Sequence, residues 1–167
     1  MENVQVTPAI ITKQQLLNHW QGHRGLTRRV IEAFPEKDLF EFTIGGMRPF
    51  IVMAMEVTDL ASGGVKGMAT GEWDNYLPHD TGEGMPKTKE ELLTIWDATT
   101  QRMDTYFAQI NEEDFGKEIM AFGSWPGTIL STMLYFIDNE IHHRGQAYVY
   151  LRALGITPPG FYERPKI

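Results

Sequence analysis

From Asn139 to Gln146 the chain reads Asn-Glu-Ile-His-His-Arg-Gly-Gln, which gathers amides, a carboxylate, two imidazoles and a guanidinium in one short segment. Side chains of these types ligate divalent metals, move protons and bind anions. They interrupt a stretch whose apolar residues have helical spacing. At roughly 100° per residue, Ile129, Met133, Phe136, Glu140, His143, Ala147, Tyr150 and Leu154 fall within one arc of about 100°. Glu140 and His143 therefore lie in an apolar stripe. A buried carboxylate or imidazolium left unpaired costs on the order of several kcal/mol, so the pair requires a partner or a ligand. Its i, i+3 spacing is also the Glu-x-x-His geometry of di-metal carboxylate bundles.

Further candidates lie on other segments. Glu56 is the only acidic residue between Phe50 and Thr58, at the border of the face made by Phe50, Met53, Val57 and Leu60. It either joins a site or forms an ion pair with Arg48 or Arg144. His19 and His23 make a His-x3-His near the direction of Leu16, Trp20 and Phe34. They either line a pocket opposite the last helix or cap the Trp20 stripe as amphipathic rings. Arg144 projects to the buried side near Leu151, where its simplest task is to neutralise a bundle carboxylate. For Asn139 and Glu140 the ordinary alternative is a helix-surface position or an internal hydrogen bond. His142 falls outside the stripe, His79 suits a surface role, and Gly145 reads as permitting close helix approach.

Four helices must position these groups. Thr12-Lys13-Gln14-Gln15 has the form of a capping box ahead of an amphipathic run through Leu16, Trp20, Thr27, Val30, Ile31 and Phe34, closed by Pro35. Arg48-Pro49-Phe50 opens a second, short and strongly apolar helix, which Ser62-Gly63-Gly64 is expected to end. Residues 64 to 87, rich in Gly and Pro, read as a long connection of the kind that is usually functional or disordered. Thr88-Lys89-Glu90-Glu91 caps a third helix running to about Ile110. After a connection from Asn111 to Gly123, Ser124 and Pro126 are expected to open the fourth helix, which ends at Leu154 before Gly155. The fold expected is all-α: a four-helix bundle with one long crossover connection, whose sites would be assembled from facing helices.

Composition narrows the function. The 167 residues fit a single domain spanning 1 to 167 and one core. A net charge of -7 without a dense Lys/Arg block excludes a nucleic-acid partner that depends on counterion release. The chain has no cysteine, hence no disulfide and no thiolate ligand. Its longest apolar run, Phe50 to Met55, is too short for a bilayer, and its first residues do not resemble a signal peptide. The expectation is a cytoplasmic protein with no membrane or nucleic-acid partner.

His142-His143-Arg144-Gly145-Gln146, then Tyr150-Leu151-Arg152 and Leu154-Gly155-Ile156-Thr157-Pro158-Pro159, resembles the last helix and tail of the DinB-like (YfiT-like) metal-binding four-helix bundles. The likeness is specific over residues 136 to 162, and Met47-Arg48-Pro49-Phe50 opening the second helix supports it. It implies a divalent metal held by a His of helix two and a His-x3-His pair of helix four. At these positions the chain carries Glu56, Asn139 and His143, a degenerate triad that would hold zinc, nickel or manganese more weakly than three imidazoles. Glu140 is the chemically stronger alternative to Asn139, because it is charged. The resemblance implies a small-molecule substrate and a thiol transferase or hydrolase, in which the metal is a Lewis acid and Glu140 or Glu56 takes the proton. The competing expectation is a non-catalytic, stress-associated binding or dimerisation bundle that has lost its metal. The family's tendency to pair, with the aromatic tail residues Phe161 and Tyr162, implies a homodimer.

Overall fold

The computed structural model describes residues 11–74 and 84–164; residues 75–83 of the expected long connection, His79 among them, lie outside them. The helices are α1 (Lys13–Ala33), α2 (Glu36–Glu41), α3 (Phe50–Thr70), α4 (Lys89–Phe107) and α5 (Ile129–Ala153). Two strands, β1 (Glu118–Ala121) and β2 (Trp125–Thr128), form a hairpin just before α5. The four long helices make a ring in which α1 and α3 each pack against both α4 and α5. Among the described residues, no helix is long and apolar enough to cross a membrane.

Local sequence accounts for most helix ends. Thr12 accepts from the Gln15 backbone N–H while Gln15 Oε1 accepts from the Thr12 N–H, the reciprocal pairing of a capping box. Thr88 caps α4 through the Glu91 N–H. The unexpected α2 is one short segment behind Pro35, with Glu36 and Asp38 at its positive end, where the helix dipole favours carboxylates.

Three expectations are corrected. Ser62-Gly63-Gly64 does not end the second helix: α3 continues to Thr70 and stops at Gly71, whose φ of +79° is the left-handed C-cap conformation. The internal glycines answer a need for space. A Cβ on Gly64 would lie 2.2 Å from Phe136 of α5, and one on Gly67 would lie 2.2 Å from Trp73. Close approach by neighbouring rings therefore outweighs the helix penalty of glycine, on the order of 1 kcal/mol each. Second, Ser124 and Pro126 do not open the last helix. They belong to the hairpin, and Thr128 is the N-cap, in a capping box with Ser131. Pro126 is tolerated because a two-stranded hairpin consists of edge strands. Third, a Cβ on Gly145 would meet nothing within 4 Å, so it does not serve helix contact.

The core is divided lengthwise. One apolar cluster joins Ile31, Phe34, Phe50, Leu92, Trp96 and Tyr150, and the other joins Leu16, Trp20, Val65, Phe107, Met133 and Phe136. Between them, at the waist of the bundle, lie His23, Arg24 and Thr27 of α1, Thr58 of α3, Thr99 of α4, and Glu140, His143 and Arg144 of α5, all buried. The polar interruptions of separate helices thus meet in one layer, which is where a bundle can hold polar groups by pairing them with one another.

Candidate functional site

The polar layer has two parts, one on each side of α5. On the α3 side the centre is Glu56. Its Oε1 lies 3.1 Å from His143 Nε2 and accepts from Asn139 Nδ2 at 3.1 Å, while Oε2 lies 2.7 Å from Arg48 Nη2. The His143 hydrogen bond, opposed by burial and seconded by Asn139 and Arg48, holds the Glu56 carboxyl down at about 2. Arg48 is positioned by its own backbone, since its carbonyl accepts from Tyr150 Oη at 2.9 Å. His143 is oriented from the other ring nitrogen, where Nδ1 lies 2.8 Å from Gln146 Oε1. Two acceptors, Glu56 Oε1 and Gln146 Oε1, therefore face one imidazole. A ring donates at both nitrogens only when charged; a neutral ring donating to Gln146 turns its Nε2 lone pair towards the carboxylate.

Glu140 belongs to the α1 side. Fully buried, it accepts from Thr27 Oγ1 at 2.6 Å and lies 3.8 Å from Arg144 Nη1 and 3.9 Å from Arg24 Nη1. Burial pushes its carboxyl up, against the pull of Arg24, Thr27 and Arg144. The Glu56/Glu140/His143 combination is therefore not formed. Asn139 and Glu140 are adjacent in sequence and so roughly 100° apart around the helix, which sends one towards α3 and the other towards α1. Sealed in this way, Glu140 is a structural counter-ion rather than a proton acceptor for a substrate. Arg144 neutralises it, as its position near Leu151 suggested, and also donates to Thr27 Oγ1 and His23 Nδ1. His23 pairs with His19 through their Nε2 atoms at 3.2 Å. His142 is exposed, with its ring against that of His143.

A cavity of about 380 Å³ opens beside the α3 part. Glu56 lies in its wall, and Leu60, Phe122, Trp125, Tyr135 and Phe136 make it mainly apolar. The hairpin supplies one side. Its turn places Phe122 at a φ of +49° and Gly123 at +71°, which directs the Phe122 ring against Trp73 and Phe136. An apolar chamber with a few polar groups at one end is the usual form of a small-molecule site.

Whether the residues suit a divalent ion is decided by their donors. Among the described residues no three His, Cys, Asp or Glu side chains form a metal-holding group. The third donor has to be an amide. Asn139 qualifies: its Oδ1 is buried without a hydrogen-bond partner, and rotating the amide would turn that oxygen towards Glu56 and His143. One carboxylate, one imidazole and one amide oxygen fit a weakly held hard or borderline ion, not a tight three-imidazole zinc site. The Arg48–Glu56 ion pair is one of the alternatives expected for Glu56, whereas only its i, i+3 spacing from His143 points to Gln146 in the sequence.

Comparison with known proteins agrees with this architecture. The DinB family model matches residues 124–167, which carry β2, α5 and the tail. The uncharacterised protein YjoA of Bacillus subtilis strain 168 is 23% identical over 157 residues, covering 90% of this chain and 96% of its own. Its solved structure, a DinB-like protein, superposes with a TM-score of 0.70 at 20% identity, covering 90% of this chain and 99% of that one. A DinB-like protein from Bacillus cereus ATCC 10987 gives a TM-score of 0.71 at 16% identity, over 89% and 97% of the two chains. A member of the DinB family from Exiguobacterium sibiricum 255-15 gives 0.61 at 22%, over 88% and 95%. The last helix and tail thus match the DinB family model, and the bundle has the fold of these DinB-like proteins along most of its length.

Proposed function

We propose that this bundle binds a small apolar molecule in the cavity between α3, α5 and the hairpin and acts on it with the polar group centred on Glu56. The observation that carries the reading is the convergence of Asn139 and His143 of α5 on Glu56 of α3, which itself lies in the wall of that cavity. In this reading the three side chains hold a divalent ion: zinc, nickel or manganese. When bound, the ion supplies Lewis-acid polarisation of a thiol, water or carbonyl. Thiol transfer or hydrolysis is the corresponding reaction class.

The protein groups then have defined tasks. A carboxyl held at about 2 is ionised at neutral pH and a poor base, so Glu56 contributes charge rather than proton transfer. Gln146 fixes the His143 ring, leaving Nε2 turned to Glu56. The aromatic walls exclude water and favour an apolar substrate. The test is metal content and metal titration of protein purified without a His-tag. Wild type should bind one of the three ions saturably and gain thermal stability, while Glu56→Ala and His143→Ala should lose most of the bound metal and remain helical by circular dichroism. Protein that stays metal-free after incubation with all three ions would end the metal reading.

A second reading, a metal-free binding bundle, is favoured by one contact. Arg48 already supplies a cation to Glu56 at 2.7 Å. Arg48→Ala separates the two: in a metal site it frees the carboxylate and raises metal affinity, whereas in a metal-free bundle it only weakens the local structure. In either reading we propose a cytoplasmic protein that pairs as a homodimer through exposed aromatic residues such as Phe161 and Tyr162, each 73% exposed. Sedimentation velocity of wild type against Phe161→Ser/Tyr162→Ser measures this directly.

A further inference from the structure

A second groove, of about 580 Å³, runs between α1, α5 and the tail that follows α5. It is separate in its lining from the Glu56 cavity, and its walls include His19, His23, Arg144, Tyr148, Phe161 and Arg164. Its hydrogen-bonding groups are mostly donors. Arg144 Nη2 lies 2.8 Å from His23 Nδ1, and Arg164 Nη1 lies 3.0 Å from His23 Nε2. Burial, then Arg144, His19 and Arg164, lowers the His23 ring to about 3, so it is neutral at pH 7. A neutral imidazole has one acceptor nitrogen and cannot receive both guanidiniums. With Nδ1 accepting from buried Arg144, Nε2 carries the hydrogen and donates to His19 Nε2, so Arg164 faces a donor.

Two further facts extend this surplus. Tyr148 Oη is buried without a hydrogen-bond partner. Among the described residues Arg164 has no ion pair, and its one neighbour at hydrogen-bond distance is His23 Nε2. The charge is also locally inverted in a chain of net charge -7. Tyr148 feels the guanidiniums of Arg29, Arg144 and Arg152 against the carboxylate of Glu163, and the pull of Glu140 on Arg144 is opposed by Arg164. The tail is tied down over α1 by Arg29, which donates to the Glu163 backbone carbonyl. This tie keeps Arg164 and the rings of Phe161 and Tyr162 at the groove. Donors without acceptors, surplus positive charge and an aromatic rim together describe a receptor for an organic anion.

We infer that the groove between α1, α5 and the tail binds a small organic anion, whose carboxylate or phosphate group accepts from Arg164 and Tyr148 against the buried charge of Arg144. The anion provides the acceptor that Arg164 and Tyr148 lack, without disturbing the Arg144–Glu140 pair.

Calorimetric titration of the full chain with benzoate and with inorganic phosphate, each against chloride at equal ionic strength, tests this and distinguishes the two head groups. Saturable binding of either anion supports the site, and the tighter one names the head group. Arg164→Ala should weaken it on the order of tenfold or more and Tyr148→Phe roughly threefold to tenfold, the range for hydrogen bonds to a charged group. Arg164 lies in the tail and Tyr148→Phe keeps the packed ring, and far-ultraviolet circular dichroism of the two variants confirms that they are folded. Glu56→Ala should leave anion affinity unchanged. Failure of both anions to bind beyond chloride, equal binding by wild type, Arg164→Ala and Tyr148→Phe, or loss of binding in Glu56→Ala would each overturn the proposal.

Discussion

The two sides of α5 carry one buried polar group each, built from similar residues and put to different ends. Towards α3, Glu56 meets the ring of His143, the amide of Asn139 and the half-exposed Arg48, beside an open cavity. Towards α1, Glu140 meets the buried Arg24 and Arg144 and the Thr27 hydroxyl, with no exposed surface at all. Hydrogen bonds hold the first carboxyl below its ordinary value, and burial pushes the second above it. The comparison teaches that access, more than residue type, separates a reactive carboxylate from a structural one. Glu140 is needed because two guanidiniums lie against it; Glu56 is available because its partners leave one side facing a cavity.

The largest effect should come from the sealed side. Glu140→Ala leaves Arg24 and Arg144 buried without their carboxylate, and such a loss destabilises a fold by about 3–5 kcal/mol. Urea unfolding measures it, and a change under about 1 kcal/mol would break the contrast, since both carboxylates would then be dispensable.

Acid should act next, with opposite signs for the two carboxylates. His23 has its ring lowered from 6.5 to about 3, so the unfolded chain binds the extra proton and stability falls as pH drops from 6.5 towards 3. The expected loss is about 2–3 kcal/mol by pH 4. Glu56, lowered from 4.5 to about 2, adds a further loss between those values. Glu140, whose folded value is raised, works the other way: its contribution is present below 4.5 and declines as pH rises through its folded value. Chemical denaturation from pH 7 to pH 4 in wild type and His23→Gln should show the flatter profile in the variant. Identical slopes would sink the assignment.

Smaller again is the stability effect on the accessible side. Glu56→Ala removes an ion pair with a half-exposed arginine and should cost about 1 kcal/mol, while eliminating any stabilisation that added metal produces. The smallest structural effect belongs to Asn139→Ala, within about 0.5 kcal/mol. Even so, it should lower metal affinity by an order of magnitude or more, because loss of a ligand should at least match the roughly 10- to 100-fold effect of an outer partner. Unchanged metal affinity in Asn139→Ala would remove the amide from the site and leave Glu56 and His143 as a hydrogen-bonded pair.

Much of this organisation was legible in the residues. The four long helices follow from apolar spacing with Thr12 and Thr88 as caps, and the polar breaks at His23, Glu56, Glu140 and His143 each stand out against an apolar face. Helical periodicity registers such breaks because it depends only on positions within one segment. The pairing of those breaks was not legible. That Asn139 faces Glu56 while Glu140 faces Thr27 depends on how α5 is rotated between α3 and α1, and that rotation is settled by packing across the whole bundle. The glycines show the same division. Taken alone, Gly63-Gly64 is a helix stop; against the Phe136 ring, Gly64 is the residue that fits inside a continuing helix. The hairpin also escaped a local reading, because Pro126 suits a first helical turn equally well and only cross-strand pairing and contact with the neighbouring rings decide between them. The sequence by itself therefore determined the helical class, the caps and which residues break the apolar faces, since these are properties of neighbours a few positions apart. Tertiary structure alone decided which breaks meet, which carboxylate is sealed and which faces a cavity, because burial and electrostatics depend on what the other helices bring to the same point.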